Sequence, residues 1–194
     1  RDGLESRGLG DVYKSQGFMR DQFDDLINTN LTAENKSLGI STKELEQSTL
    51  GVLKTMGTMS QVNKKAAASL VDLGAKMAKL GGTAAGTAKA VQKLNFLAGG
   101  GLVKGLDKAG KSFESVVHRG RQLGLTTAEM ESGITQFGGA IAGMGGNVGD
   151  EFLTMATMAK NAGMEIGKLM TITKKFQTFK DGADKAAELN SILG

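Results

Sequence analysis

The chain has 194 residues, room for one or two ordinary domains, and no cysteine, proline or tryptophan. The missing cysteines exclude disulfide staples and thiolate metal sites, and the missing prolines exclude collagen. A net charge of +4 spread along the chain, with 5% aromatic residues, gives neither the basic aromatic patch of a nucleic-acid binder nor the residues of a large sheet. The 29 glycines are about twice the usual share of roughly 7%. An all-α chain interrupted often by glycine is the class that remains. Its Ala, Gly, Leu and Met stripes suit close helix–helix packing. The chain opens on Arg1, as expected of a processed or partial piece, and no apolar stretch follows that would make a signal peptide.

Taken in order, residues 1–10 read as a loose glycine-rich lead-in. Asp11 is a candidate N-cap for a helix through Val12, Met19, Phe23, Leu26 and Ile27. Ser41 and Glu44 have the spacing of a capping box. A helical pattern then runs through Leu45, Val52, Leu53, Met56 and Met59 and resumes at Leu70, Leu73, Met77 and Leu80, where Gly81 and Gly82 end it. Thr83 to Ala98 is an alanine-rich helix, and Gly99, Gly100 and Gly101 form a break. That break divides the chain into segments 11–98 and 102–194. The second segment has helices marked by Leu102, Leu106, Ala109, Phe113, Val116, Val117 and Leu123, then by a Thr126–Glu129 capping box. Asn147 or Asp150 caps the next, carried by Phe152, Leu153, Met155 and Met158. The last patterns run from Met164 to Phe179 and from Ala183 to Leu193.

One turn recurs. Leu38-Gly39-Ile40-Ser41 with Glu44 matches Leu123-Gly124-Leu125-Thr126 with Glu129, and Ala162-Gly163-Met164-Glu165 is a weaker third copy. The intervals between these three are unequal. They therefore fit repeated use of one turn device as well as a duplication.

Four features invite a chemical reading. Gly105-Leu106-Asp107-Lys108-Ala109-Gly110-Lys111-Ser112 matches the phosphate-loop pattern letter for letter. Gly105, Gly110, Lys111 and Ser112 are read as a chance match, because helical spacing runs straight through them and no buried strand precedes them. A nucleotide-driven enzyme would rest on this motif alone. His118, the one histidine, stands beside Arg119 and Arg121 and has no nucleophile or carboxylate constellation, so it reads as a surface residue. Asp24 and Asp25, and Asp181 and Asp184, lack the alternating ligands of a calcium loop. Residues 132–149 carry no charge, and Gly139 and Gly143 have small-xxx-small spacing. Their seven glycines fit tight helix packing better than a membrane span. No catalytic residue, cofactor site or metal site is expected.

The proline-free helices and Leu-Gly-apolar-Ser/Thr turns resemble a tail tape measure protein of a contractile-tailed, T4-like phage. So does the closing stretch Phe176-Gln177-Thr178-Phe179, Ala183, Ala186, Ala187, Leu189-Asn190-Ser191-Ile192-Leu193-Gly194. The resemblance implies a non-enzymatic virion protein in the tail lumen or baseplate hub. Such a protein sets tail length and leaves ahead of the DNA. It implies a homo-trimeric or homo-hexameric bundle, tail tube and hub proteins as partners, and transient contact with host membrane and phage DNA. The many glycines suit a folded, hub-proximal piece rather than an uninterrupted rod. The competing class is a membrane-active pore-forming or secreted effector protein, for which residues 132–149 would be the inserting segment.

Overall fold

A chain without proline keeps every backbone amide available to a helical ladder, so its breaks fall where glycine or a cap stops the ladder. The computed structural model describes residues 21–56, 64–100, 105–143, 147–169 and 171. The fold is all-helical, and among the described residues there is no strand. Helix α1 covers residues 21–30. It is followed by α2 (Ala33–Ser37), α3 (Thr42–Met56), α4 (Lys64–Lys79), α5 (Ala84–Leu97), α6 (Leu106–Gln122), α7 (Thr127–Ala142) and α8 (Val148–Asn161). A last helix begins at 166. The expected caps that fall among the described residues are present. Thr126 and Glu129 form a full capping box, Ser41 and Glu44 bond reciprocally, and the Asn147 side chain accepts from the amides of Gly149 and Asp150. The patterns expected before residue 21, at Met59 and after residue 171 lie outside the described residues.

Five helices end alike, in a Schellman turn. At Gly39, Gly81, Gly99, Gly124 and Gly163 the backbone adopts positive φ. Each glycine amide bonds three residues back, and the next amide reaches five residues back, as in Gly124 N–H to Arg121 O and Leu125 N–H to Gly120 O. A side chain at these φ values is strained, which is why glycine occupies them.

Four of these turns form a series. Gly39, Gly81, Gly124 and Gly163 are separated by 42, 43 and 39 residues. The intervals looked unequal in the sequence because the copy at Leu80-Gly81-Gly82-Thr83 has Gly86 where two of the others have a capping-box glutamate. With it included, the chain reads as tandem helical hairpins of about 40 residues, a period typical of helical repeat proteins.

The packing follows the repeat. The contacts place α3, α5 and α7 in one row and α4, α6 and α8 in a second. Helix α2 joins the second row through Asn35 Nδ2 to Asp72 Oδ1 (2.7 Å) and Lys76 to Glu34 (2.8 Å). Helix α5 is the hub, touching α3, α4, α6, α7 and α8. One apolar cluster runs from Leu26 to Ala156, straight across the boundary suggested at Gly99 and Gly100. Phe113, Phe152, Met130, Ile134 and Ile141 are fully buried in it. The apolar stripes are covered by other helices of the same chain, because each row covers the other.

Candidate functional site

The four serial turns lie together, and polar side chains tie each to the next. Lys79 in the last turn of α4 pairs with Glu44 in the first turn of α3 (2.7 Å). Arg121 Nη1 and Thr127 Oγ1 both donate to the Leu80 carbonyl, at 3.0 and 2.8 Å. Lys160 Nζ donates to the Leu123 carbonyl at 2.6 Å. Cations in the last turn of a helix complement the negative end of its dipole, so these bonds suit both partners.

The most unusual group in this row is Glu131, a carboxylate only 5% exposed, on α7. The Thr83 amide donates to both of its oxygens, at 3.0 and 3.1 Å. The hydroxyl of Thr87 donates at 2.8 Å, and that of Thr83 lies 3.3 Å away. Glu131 thus caps α5 from 48 residues along the chain. It stands in for the capping-box glutamate that Gly86 cannot supply. Gly82 and Gly86 leave the space, since a Cβ on either would collide with the carboxylate. Burial raises the Glu131 carboxyl above its ordinary 4.5, and the threonine hydrogen bonds oppose that rise. The sequence offered no signal for Glu131, because its partners are distant and its i, i+3 neighbours are not.

Glu44 is displaced the other way. The Lys79 ammonium, then the amide and hydroxyl of Ser41, hold its carboxyl down at about 2. A carboxyl depressed by folding stabilises the fold above the unfolded value of 4.5, and that contribution is lost as pH falls toward about 2. The Glu44→Gln variant is expected to have a urea midpoint that depends less on pH across this window than the parent. Parallel curves would remove Glu44 as a source of acid lability.

The residues singled out from sequence are not brought together. Gly105 is the N-cap of α6 at φ 98°, and Leu106 to Ser112 form the helix itself. The Ala109 amide bonds to the Gly105 carbonyl at 2.9 Å, so the backbone is engaged in the ladder rather than wrapped around an anion. Gly110 is buried near Leu73, Lys111 is exposed and Ser112 is half-buried. His118 is exposed, 3.3 Å from Gln122 Nε2. Arg119 and Arg121 are exposed, and from that face Arg119 pairs with Asp150 on α8 while Arg121 donates to the Leu80 carbonyl. Asp24 is exposed, and Asp25 pairs with Lys64 at 2.8 Å. Asp181 and Asp184 lie outside the described residues. Among the described residues no three His, Asp or Glu side chains gather to hold a metal ion.

Residues 132–142 of the uncharged stretch lie in α7, with Gly133, Ile134, Gly138 and Ile141 buried, and Asn147, Val148 and Gly149 cap and open α8. Gly133 admits the ring of Phe152 from α8, and Gly138 lies 3.1 Å, measured from a Cβ built on it, from Leu97 of α5. Among the described residues no helix is long and apolar enough to cross a membrane. In comparisons with known proteins, no protein-family model, characterised sequence or solved structure matches this chain.

Proposed function

We propose that the chain is a structural, non-enzymatic segment of a phage tail tape measure, held in the tail lumen or baseplate hub. The resemblance in composition and in residues 176–194 supports the tail assignment. The observation that carries the structural role is where buried polar groups go. Ser48 donates to the Val71 carbonyl, Thr127 to that of Leu80, Asn35 to the Asp72 carboxylate, and Glu131 accepts from Thr83 and Thr87. These four buried polar side chains join one hairpin to the next. In this reading several copies, as a trimer or hexamer, pack about the tail axis against tube and hub proteins. Glycine-ended hairpins give way in sequence when the hub opens, because each is stabilised mainly by its neighbours.

Removal of the segment from a phage that carries it is expected to abolish tails of defined length in electron micrographs of the lysate. Uniform tails of parental length would overturn the assignment. The membrane-active alternative requires α7 to leave Phe152 and Leu97. Protection of residues 132–149 from protease on adding vesicles would favour it over the tail reading.

A further inference from the structure

The repeat that aligns the turns also aligns the outward positions of the row α3, α5, α7. On α5 these are Lys89, Gln92, Lys93 and Phe96, one face at helical spacing. Phe96 is 72% exposed, well above the other exposed large apolar side chains of the described residues. Beside it lies an open groove of about 640 Å³, bordered by these four residues and by Thr135 of α7. Beyond Thr135 on α7, the exposed Gly139 has no side chain, and a Cβ built on it would stand 3.5 Å from Lys93 Nζ.

The electrostatics of this face differ from those of the other row. There Lys64 pairs with Asp25, Lys76 with Glu34 and Asp72, and Arg119 with Asp150, while the exposed Lys108 and Lys111 share α6 with Asp107 and Glu114. Helix α5 carries no carboxylate at all, and Lys89 and Lys93 make no ion pair among the described residues. The two carboxylates of α7 are engaged elsewhere, Glu129 in its capping box and Glu131 at Thr83. The same register puts Lys43, Leu50 and Lys54 at outward, exposed positions of α3, with the exposed Glu46 on its flank.

We propose that the groove between α5 and α7 docks an acidic amphipathic helix of a partner protein. The apolar side of that helix seats against Phe96, and its carboxylates meet Lys89 and Lys93. A groove between two helices fits a third helix, whose i, i+3, i+4 and i+7 side chains fill it. An extended peptide would instead seek a sheet edge. Single-stranded nucleic acid takes several aromatic platforms along a track of cations, and this groove offers one aromatic ring. The proposal stands independently of the tail assignment.

The test uses the whole chain and a labelled synthetic helix with leucines at i, i+3, i+4 and i+7 and glutamates on its other face. Fluorescence anisotropy is expected to show binding that weakens as salt rises. The Lys89→Glu/Lys93→Glu variant is expected to bind roughly tenfold more weakly. Phe96→Ala should weaken binding similarly, both variants keeping the parental urea midpoint. Lys108→Glu/Lys111→Glu on α6 serves as the charge-matched control and is expected to bind as the parent does. No binding of the acidic peptide, equal binding by the α5 charge-reversal variant, or tighter binding of oligo(dT) than of the peptide would overturn the proposal.

Discussion

Replacing Glu131 by alanine is expected to destabilise the fold by about 3 kcal/mol, measured by urea unfolding. The carboxylate accepts from the Thr83 amide and the Thr87 hydroxyl, and Thr87 is fully buried. Truncation leaves these donors without their partner and removes the tie between the N-terminus of α5 and α7. A loss below about 1 kcal/mol would show that water or a rearranged turn replaces the carboxylate readily. Glu131→Gln separates charge from shape, since the amide keeps one acceptor and does not titrate. The Glu131 carboxyl is raised by folding, so its contribution is greatest below the unfolded value of 4.5 and declines as pH rises through the higher folded value. The stability advantage of the parent over Glu131→Gln should therefore grow as pH is lowered toward 4.5. Glu44 acts in the opposite sense and at lower pH, so the two effects separate along the pH axis.

The second large effect is at the α7–α8 contact. Phe152 is fully buried and its ring lies where a Cβ on Gly133 would be. Phe152→Ala is expected to cost about 3–5 kcal/mol through lost burial and the cavity left behind. Gly133→Ala should also destabilise, by about 1–3 kcal/mol, because the added methyl enters the ring of a side chain that has no room to move. In the Phe152→Ala background the sign should reverse. There the same substitution fills space and gains about 1 kcal/mol of helix propensity. A double-mutant cycle measures this, and additive costs would show that the ring is not what excludes a side chain at 133.

How far the sequence spoke can be judged from these same residues. Helix class and most starts were readable, because Ser41, Thr126 and Asn147 act locally through bonds to amides two or three residues on. The repeat was half readable. Leu38-Gly39, Leu123-Gly124 and Ala162-Gly163 showed a shared turn, but Leu80-Gly81 was read only as a helix end, without its place in the series. Its missing glutamate hid it. The replacement comes from α7, and a bond spanning 48 residues leaves no local spacing to detect. The arrangement of the core was not readable for a related reason. Each apolar stripe is thin taken singly, and only the two-row arrangement shows that α5 is covered by five neighbouring helices. The letter match at Gly105 to Ser112 shows the converse. A motif defined by letters carries its chemistry only in a loop, and here those letters fall on a helix.

The proposed tape-measure role requires this chain to be present in the tail and to leave it ahead of the DNA. Quantitative mass spectrometry of purified particles, before and after triggered DNA release, tests it most directly. Peptides from this chain are expected in intact particles, at trimer or hexamer stoichiometry, and are expected to be lost from particles that have released DNA. Absence from intact particles, or equal abundance before and after release, would contradict it.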